Sequence, residues 1–201
     1  MNFLKKIIYV FEIFGFYPIK FFRSLLSIPS FLIDYKKISS QLNSNYDFRS
    51  IKFNPCLSDK FETSGIARGH YFHQDLLVAS KIYKNSPIKH IDVGSRVDGF
   101  VAHVASFRKI FILDIRPLKV NIQNIQFLQA DLMGSIDHKY ESSCDSLSCL
   151  HALEHFGLGR YGDPVCANGY LLGFNNLIKI LKLNGKFYLS VPIGPARIEF
   201  N

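Results

Sequence analysis

The first 33 residues are rich in Phe, Ile and Leu but lack a long apolar run. Charges interrupt them, and the longest uncharged stretch, Ser24 to Ile33, is ten residues and contains Pro29. A bilayer-spanning helix needs roughly 20 consecutive apolar residues, so a span is excluded, and no small-residue cleavage site follows to suggest a secretory leader. The four cysteines, Cys56, Cys144, Cys149 and Cys166, form no C-x-x-C pair. That argues against a zinc site or disulfide framework and for reduced thiols in a reducing, cytoplasmic compartment. Internal repeats and low-complexity tracts are missing too, and 201 residues leave no room for a second full domain.

What is present is an ordinary globular composition, 48% apolar and 20% charged, with an unusual 19 Phe and 10 Tyr. The formal charge of +8 admits nucleic acid, an anionic membrane or acidic metabolites as partners. Half of it lies in residues 1–40, where Lys5, Lys6, Lys20, Arg23, Lys36 and Lys37 face only Glu12 and Asp34. The rest of the chain has no basic stripe interleaved with aromatics, which speaks against nucleic acid. Lys5 and Glu12, and Lys20 and Arg23, are spaced to share helix faces, leaving the opposite faces to Phe and Ile. Residues 1–38 therefore read as an amphipathic helical segment broken near Pro18. It lies peripherally on a membrane through residues 1–35, or packs on the protein's own core or another subunit. Residues 39–64 are polar and irregular and read as a connecting segment.

From residue 65 onward the chain alternates helical and strand patterns. The spacing of Phe72, Leu76, Leu77, Ala79 and Tyr83 predicts a helix over Gly69 to Tyr83, stopped by Asn85-Ser86-Pro87. Lys89 to Val93 is an apolar strand entering a turn at Gly94, and Phe100 to Phe107 reads as the first crossover helix. Lys109 to Asp114 and Asn124 to Asp131 are strands, each ending in an acid. Asp145 to Leu150 is a fourth, Gly169 to Leu183 a helix ended by Asn184-Gly185, and Gly185 to Pro192 a fifth strand. This alternation predicts an α/β, Rossmann-like parallel sheet with its ligand across the carboxyl ends of the strands. Asp114 lies 20 residues after Gly94, the spacing at which an acid meets the ribose of a nucleotide held on the first turn. With Asp131 on the adenine side, these positions describe an adenosine crevice.

The Asp92-Val93-Gly94 turn, Asp114, Asp131, Leu153-Glu154-His155 and the strand ending Val191-Pro192 resemble a class I S-adenosylmethionine-dependent methyltransferase. More narrowly, four stretches resemble an uncharacterised methyltransferase-like family catalogued as a domain of unknown function. They are Asp92 to Arg96, Leu113 to Leu118, His151 to Asp163, and Val191 to Pro195 with Glu199 to Asn201. The resemblance covers roughly residues 65 to 201. It implies S-adenosylmethionine as cofactor, with Asp92, Gly94, Ser95, Arg96, Gly99, Asp114 and Asp131 holding it and no metal. Within it, His151 or His155 is the candidate base, and Glu154, Arg160 and Asp163 meet a small-molecule or glycan-like acceptor. Two departures accompany it. Arg96 and Asp98 stand where the family's turn has glycine, so Arg96 either fills cofactor space or pairs with the methionine carboxylate. The chain also stops after the fifth strand, where such enzymes usually add two more. A non-catalytic binding or scaffold protein with a degenerate or truncated fold is the alternative reading.

Overall fold

The computed structural model has two compact units, residues 1–66 and 67–201, and the alternation of strand and helix patterns belongs to the second. It describes residues 3–42, 50–65, 67 and 69–200.

In the first unit, α1 (Phe3–Ile13) ends in a turn with Gly15 at φ 78°, and α2 (Pro18–Gln41) begins with proline at its first turn. Proline suits that position because its missing N–H would be unpaired there anyway. The helix break expected near Pro18 is thus a two-helix arrangement. Pro29 is accommodated inside α2. Part of the stretch expected to connect packs instead on α2: Ser27 Oγ donates to the Leu57 carbonyl, and Phe53 packs edge-on against Phe31 and Tyr35. The middle of that stretch, residues 43–49, lies outside the described residues.

The second unit carries a five-stranded sheet in the order β3-β2-β1-β4-β5, every neighbouring pair parallel. Its strands are β1 (His90–Val93), β2 (Ile110–Asp114), β3 (Ile125–Gln129), β4 (Cys144–Leu150) and β5 (Leu181–Ser190). Every β1 residue is buried, as a central strand covered on both faces requires. Helix α3 (His70–Asn85), the turn Val97–Val101 and the short α4 (Ala102–Ala105) supply one apolar layer, in which Val78, Ile82, Val101 and Val104 meet Ile110 and Ile112. Helix α5 (Gly169–Ile180) takes part in the other, where Leu177 and Ile180 meet Ile91, Val93, Leu113 and Leu147. This is the Rossmann-like parallel α/β sheet that the alternation implied.

Four local expectations change. The first crossover opens with a π-turn, Val97–Val101, before α4, and Gly99 sits in it at φ −122°, ψ −118°. No α-helix separates β2 from β3 or β3 from β4 among the described residues; the second connection carries only the 3-10 turn His138–Tyr140. β3 is an edge strand with a half-exposed pattern that ends at Gln129, two residues before Asp131. Finally, α5 stops at Ile180, and Asn184-Gly185 lies inside β5 instead of capping the helix. Leu181 pairs with Cys144 and Lys186 with Ser146, so a bulge takes up the residues between. Asn184 adopts φ 62° there, a conformation asparagine tolerates better than most side chains. The bulge leaves Leu183 92% exposed, whereas Leu177 is fully buried. Leu177→Ala is therefore expected to cost about 2–5 kcal/mol, and Leu183→Ala to stay within about 0.5 kcal/mol of the parent. Chemical denaturation distinguishes this from a helix running through residue 183, in which both would cost stability.

Candidate functional site

The strand order reverses between β1 and β4, and the loops leaving their carboxyl ends diverge to open a crevice there. β1 reaches it through Gly94 at φ 75°, whose N–H donates to the Leu113 carbonyl at 3.1 Å. A side chain here meets two obstacles. The backbone conformation favours glycine, and an added Cβ would lie 2.7 Å from that of Ala152.

Beneath the turn, Asp92 is wholly buried and holds the loop from below. Its carboxylate accepts the Ser95 N–H at 3.2 Å, the Ser95 hydroxyl at 3.0 Å and the Ser148 hydroxyl of β4. Ser148 Oγ lies 3.1 Å from His90 Nε2, and His90 Nδ1 lies 2.8 Å from Ser146 Oγ. Because the Ser148 proton goes to Asp92, its lone pair accepts from Nε2–H, and Nδ1 accepts from Ser146. Burial raises the Asp92 carboxyl from its ordinary 3.8 to about 6, with the three hydrogen bonds and nearby Asp114 as smaller influences. Burial also lowers His90 to about 3, keeping the imidazole neutral.

The crevice has an empty volume of about 540 Å³, counting its open mouth. Gly94, Asp114, Asp131, His151, His155 and Asp163 line it together, with apolar walls from Val93, Leu113, Ile115, Leu132, Met133 and Phe156. Asp114, at the end of β2, does not stand free. Arg116 returns to it with Nε 2.9 Å from Oδ1 and a terminal nitrogen 2.5 Å from Oδ2, and the Arg116 N–H also donates to Oδ1 at 2.8 Å. The same terminal nitrogen donates to the Gly94 carbonyl at 3.0 Å, and the guanidinium lies 4.6 Å from the Tyr161 ring centroid. Arg116 therefore clamps the first turn, the second strand's acid and the loop after β4 at once. Hydrogen bonding to Asp114 raises its pKa further above the usual arginine value.

At the end of β4, His151 takes a left-handed φ of 51°, a strained conformation for a non-glycine residue, and its N–H donates to the Ser190 carbonyl at 3.0 Å. Its Nδ1 is 3.1 Å from Glu154 Oε1, and its ring packs 4.8 Å from His70 and 5.1 Å from Tyr71 at the start of α3. Glu154 Oε2 is buried without a partner among the described residues. His155 is half-buried beside Tyr161. Burial lowers its pKa, Arg160 and His151 add to that, and Glu154 opposes it. The glycine-rich loop beyond is organised by Asp163, which accepts N–H groups from Gly157 at 2.9 Å, Gly159 at 3.1 Å and Tyr161 at 3.1 Å. Burial alone would raise the Asp163 pKa; the backbone donors outweigh it and the net shift is downward. Gly157 is fixed by space, since a Cβ there would come 2.0 Å from the Cys166 carbonyl oxygen.

Six of the twelve residues singled out from the sequence thus share the crevice. Asp92 and Ser95 act beneath it. Arg96 is exposed, pairs with Asp98, Nε to Oδ1 at 2.9 Å, and is not among the lining residues. Gly99 lies in the π-turn, and neither Glu154 nor the exposed Arg160 is among the lining residues. Arg116 and Tyr161 belong to the crevice although neither was singled out; the basic residue two positions after the β2 acid was the available signal. Among the described residues, no group of three or more His, Cys, Asp or Glu could hold a metal ion.

Because Asp92 is protonated more readily in the folded chain, its contribution to stability is complete below pH 3.8 and is lost as pH rises through 6. Ser148 limits that loss by stabilising the ionised form. Ser148→Ala is accordingly expected to destabilise by about 1–3 kcal/mol, with the larger deficit at pH 7.5 and the smaller at pH 5. Equal deficits in urea titrations at the two pH values would show that Ser148 does not serve the charged carboxylate.

No curated protein and no solved structure matches the chain. Residues 102–201 match the family described as Caenorhabditis protein of unknown function, DUF268. The matched range holds Asp114, Arg116, Asp131 and the whole of His151 to Asp163, and leaves the Gly94 turn outside it.

Proposed function

We propose that this chain is an S-adenosylmethionine-dependent methyltransferase of class I type acting on a small or glycan-like acceptor. The supporting observation is the convergence of Gly94, Asp114, Asp131, His151 and His155 on one crevice at the strand-order reversal of a 3-2-1-4-5 parallel sheet. The residues present suit the cofactor. Asp114 would take ribose hydroxyls, the apolar walls at Leu113, Ile115, Leu132 and Met133 an adenine, and the backbone around Gly94 the methionine end. That cofactor supplies an electrophilic methyl group on a sulfonium, which leaves as a thioether.

The chain's own contribution is positioning and proton removal. A hydroxyl or amine acceptor must lose a proton as its oxygen or nitrogen takes the methyl group. His155, kept neutral by burial, is available as the base. His151 is the second candidate: with its Nδ1 proton donated to Glu154, Nε2 is free to accept. Arg160, exposed on the loop and 5.3 Å from the ring centroid of the crevice residue Tyr161, would hold an acidic group of the acceptor. The amphipathic pattern of residues 1–35 and the lack of a basic stripe interleaved with aromatics in the rest of the sequence favour a small or glycan-like acceptor over nucleic acid.

One observation favours a second reading, a non-catalytic binding or scaffold protein. The Asp114 carboxylate is already paired with Arg116, and Arg96 with Asp98. The cofactor must share or displace the first of these pairs.

Calorimetric titration with S-adenosylhomocysteine separates the readings. Micromolar binding is expected, abolished in Asp114→Ala and retained or strengthened in Arg116→Gln. No heat from folded parent and folded Arg116→Gln alike would leave the scaffold reading. His155 is expected to titrate below its ordinary 6.5 in an NMR pH series. Glu154→Gln should lower it further, since the Glu154 charge raises it; an upward move would contradict the assigned environment.

A further inference from the structure

The first unit is built against the usual rule for amphipathic helices. On α2, Ser27, Ser30 and Asp34 lie at intervals of three and four and share a face. That polar face is the one covered by the chain's own residues 57–62. Ser27 is 3% exposed and donates to the Leu57 carbonyl, while Lys60 Nζ reaches Asp34 Oδ2 at 2.8 Å and Ser30 Oγ at 3.0 Å. Lys20 and Arg23 join it, the first 3.8 Å from Glu62 and the second over the Phe61 ring. The opposite face carries Phe22, Leu25, Leu26, Leu32 and Ile33, with Pro29 between the two groups, and all five are exposed. α1 likewise exposes Phe3, Ile7 and Val10 on one face, with Lys5 and Glu12 opposite.

We propose that α1 and α2 dock flat on a lipid surface bearing anionic headgroups. Three observations select that occupant. The apolar face of α2 from Ile19 to Ile33 is about 21 Å long at 1.5 Å per residue, too short to cross, and among the described residues no helix is long and apolar enough to do so. Exposed Lys36 and Lys37 follow one turn beyond Leu32 and Ile33, where ammonium groups on flexible stems reach headgroup phosphates while their methylenes stay apolar. Residues 1–40 carry a net +4, which complements an anionic leaflet. A second copy seated on the same face would bury or crowd those lysines, an arrangement that costs desolvation energy without supplying an anion.

Flotation of the full chain with vesicles of phosphatidylcholine, or of equimolar phosphatidylcholine and phosphatidylglycerol, tests this. The chain should float with the anionic vesicles, far less with neutral ones, and progressively less as salt rises. Leu25→Ser with Leu26→Ser should weaken anionic-vesicle partition at least about tenfold. Lys36→Gln with Lys37→Gln should weaken it roughly fivefold per lysine. Both pairs are exposed, and unchanged far-UV circular dichroism confirms that they fold. Failure of the parent to float with either vesicle overturns the proposal, as does flotation indifferent to headgroup charge or to the leucine changes. A dimer by light scattering that the leucine changes dissolve, without flotation, assigns the face to a second copy instead.

Discussion

A carboxylate buried at the centre of the sheet is the constraint around which the second unit is arranged. Asp92 sits on the middle strand with no solvent access, and an unpaired charge there would cost several kcal/mol. The cost is met from two directions: Ser95 folds the turn back over it, and Ser148 reaches from the adjacent strand. Through Ser148 the network extends to His90 and Ser146, which fixes one tautomer of a neutral histidine. β1 and β4 are thus joined by side chains as well as by their ladder, at the place where the strand order reverses. Gly94 leaves the strand at the angle this arrangement imposes.

Above that foundation the crevice is held by a second set of polar contacts with a different character. Arg116 touches Asp114, the Gly94 carbonyl and the Tyr161 ring, and its side chain is 36% exposed, so its contacts are exchangeable with water in a way those of Asp92 are not. Asp163 plays the equivalent part for the glycine-rich loop, gathering three backbone N–H groups that would otherwise lack partners. The site therefore has a buried polar floor and a partly exposed polar rim.

The first unit obeys the opposite economy. Its polar helix face is covered by its own chain and its apolar face is exposed. Spacing of charges in the sequence identified two-sidedness here but could not say which side the chain would cover, because periodicity ranks faces without naming their partners. The residues that decide it, Leu57, Lys60 and Glu62, lie in a stretch too polar and irregular to read as anything but a connector.

Local pattern by itself determined the parallel α/β class, the five strands, the Gly94 turn and the acid that ends β2, since short apolar runs alternating with helical patterns have few other uses than such a sheet. Tertiary structure alone decided where the side chains go. Arg96, adjacent to the turn, finds an exposed partner two residues away, while Arg116, 22 residues beyond Gly94, is brought onto it by the pairing of β1 with β2. The bulge in β5 is of the same kind: Asn184-Gly185 signals a break, but only the pairing with β4 decides whether it ends a helix or interrupts a strand. Propensity acts over a few residues, and these outcomes depend on partners many residues away in the chain.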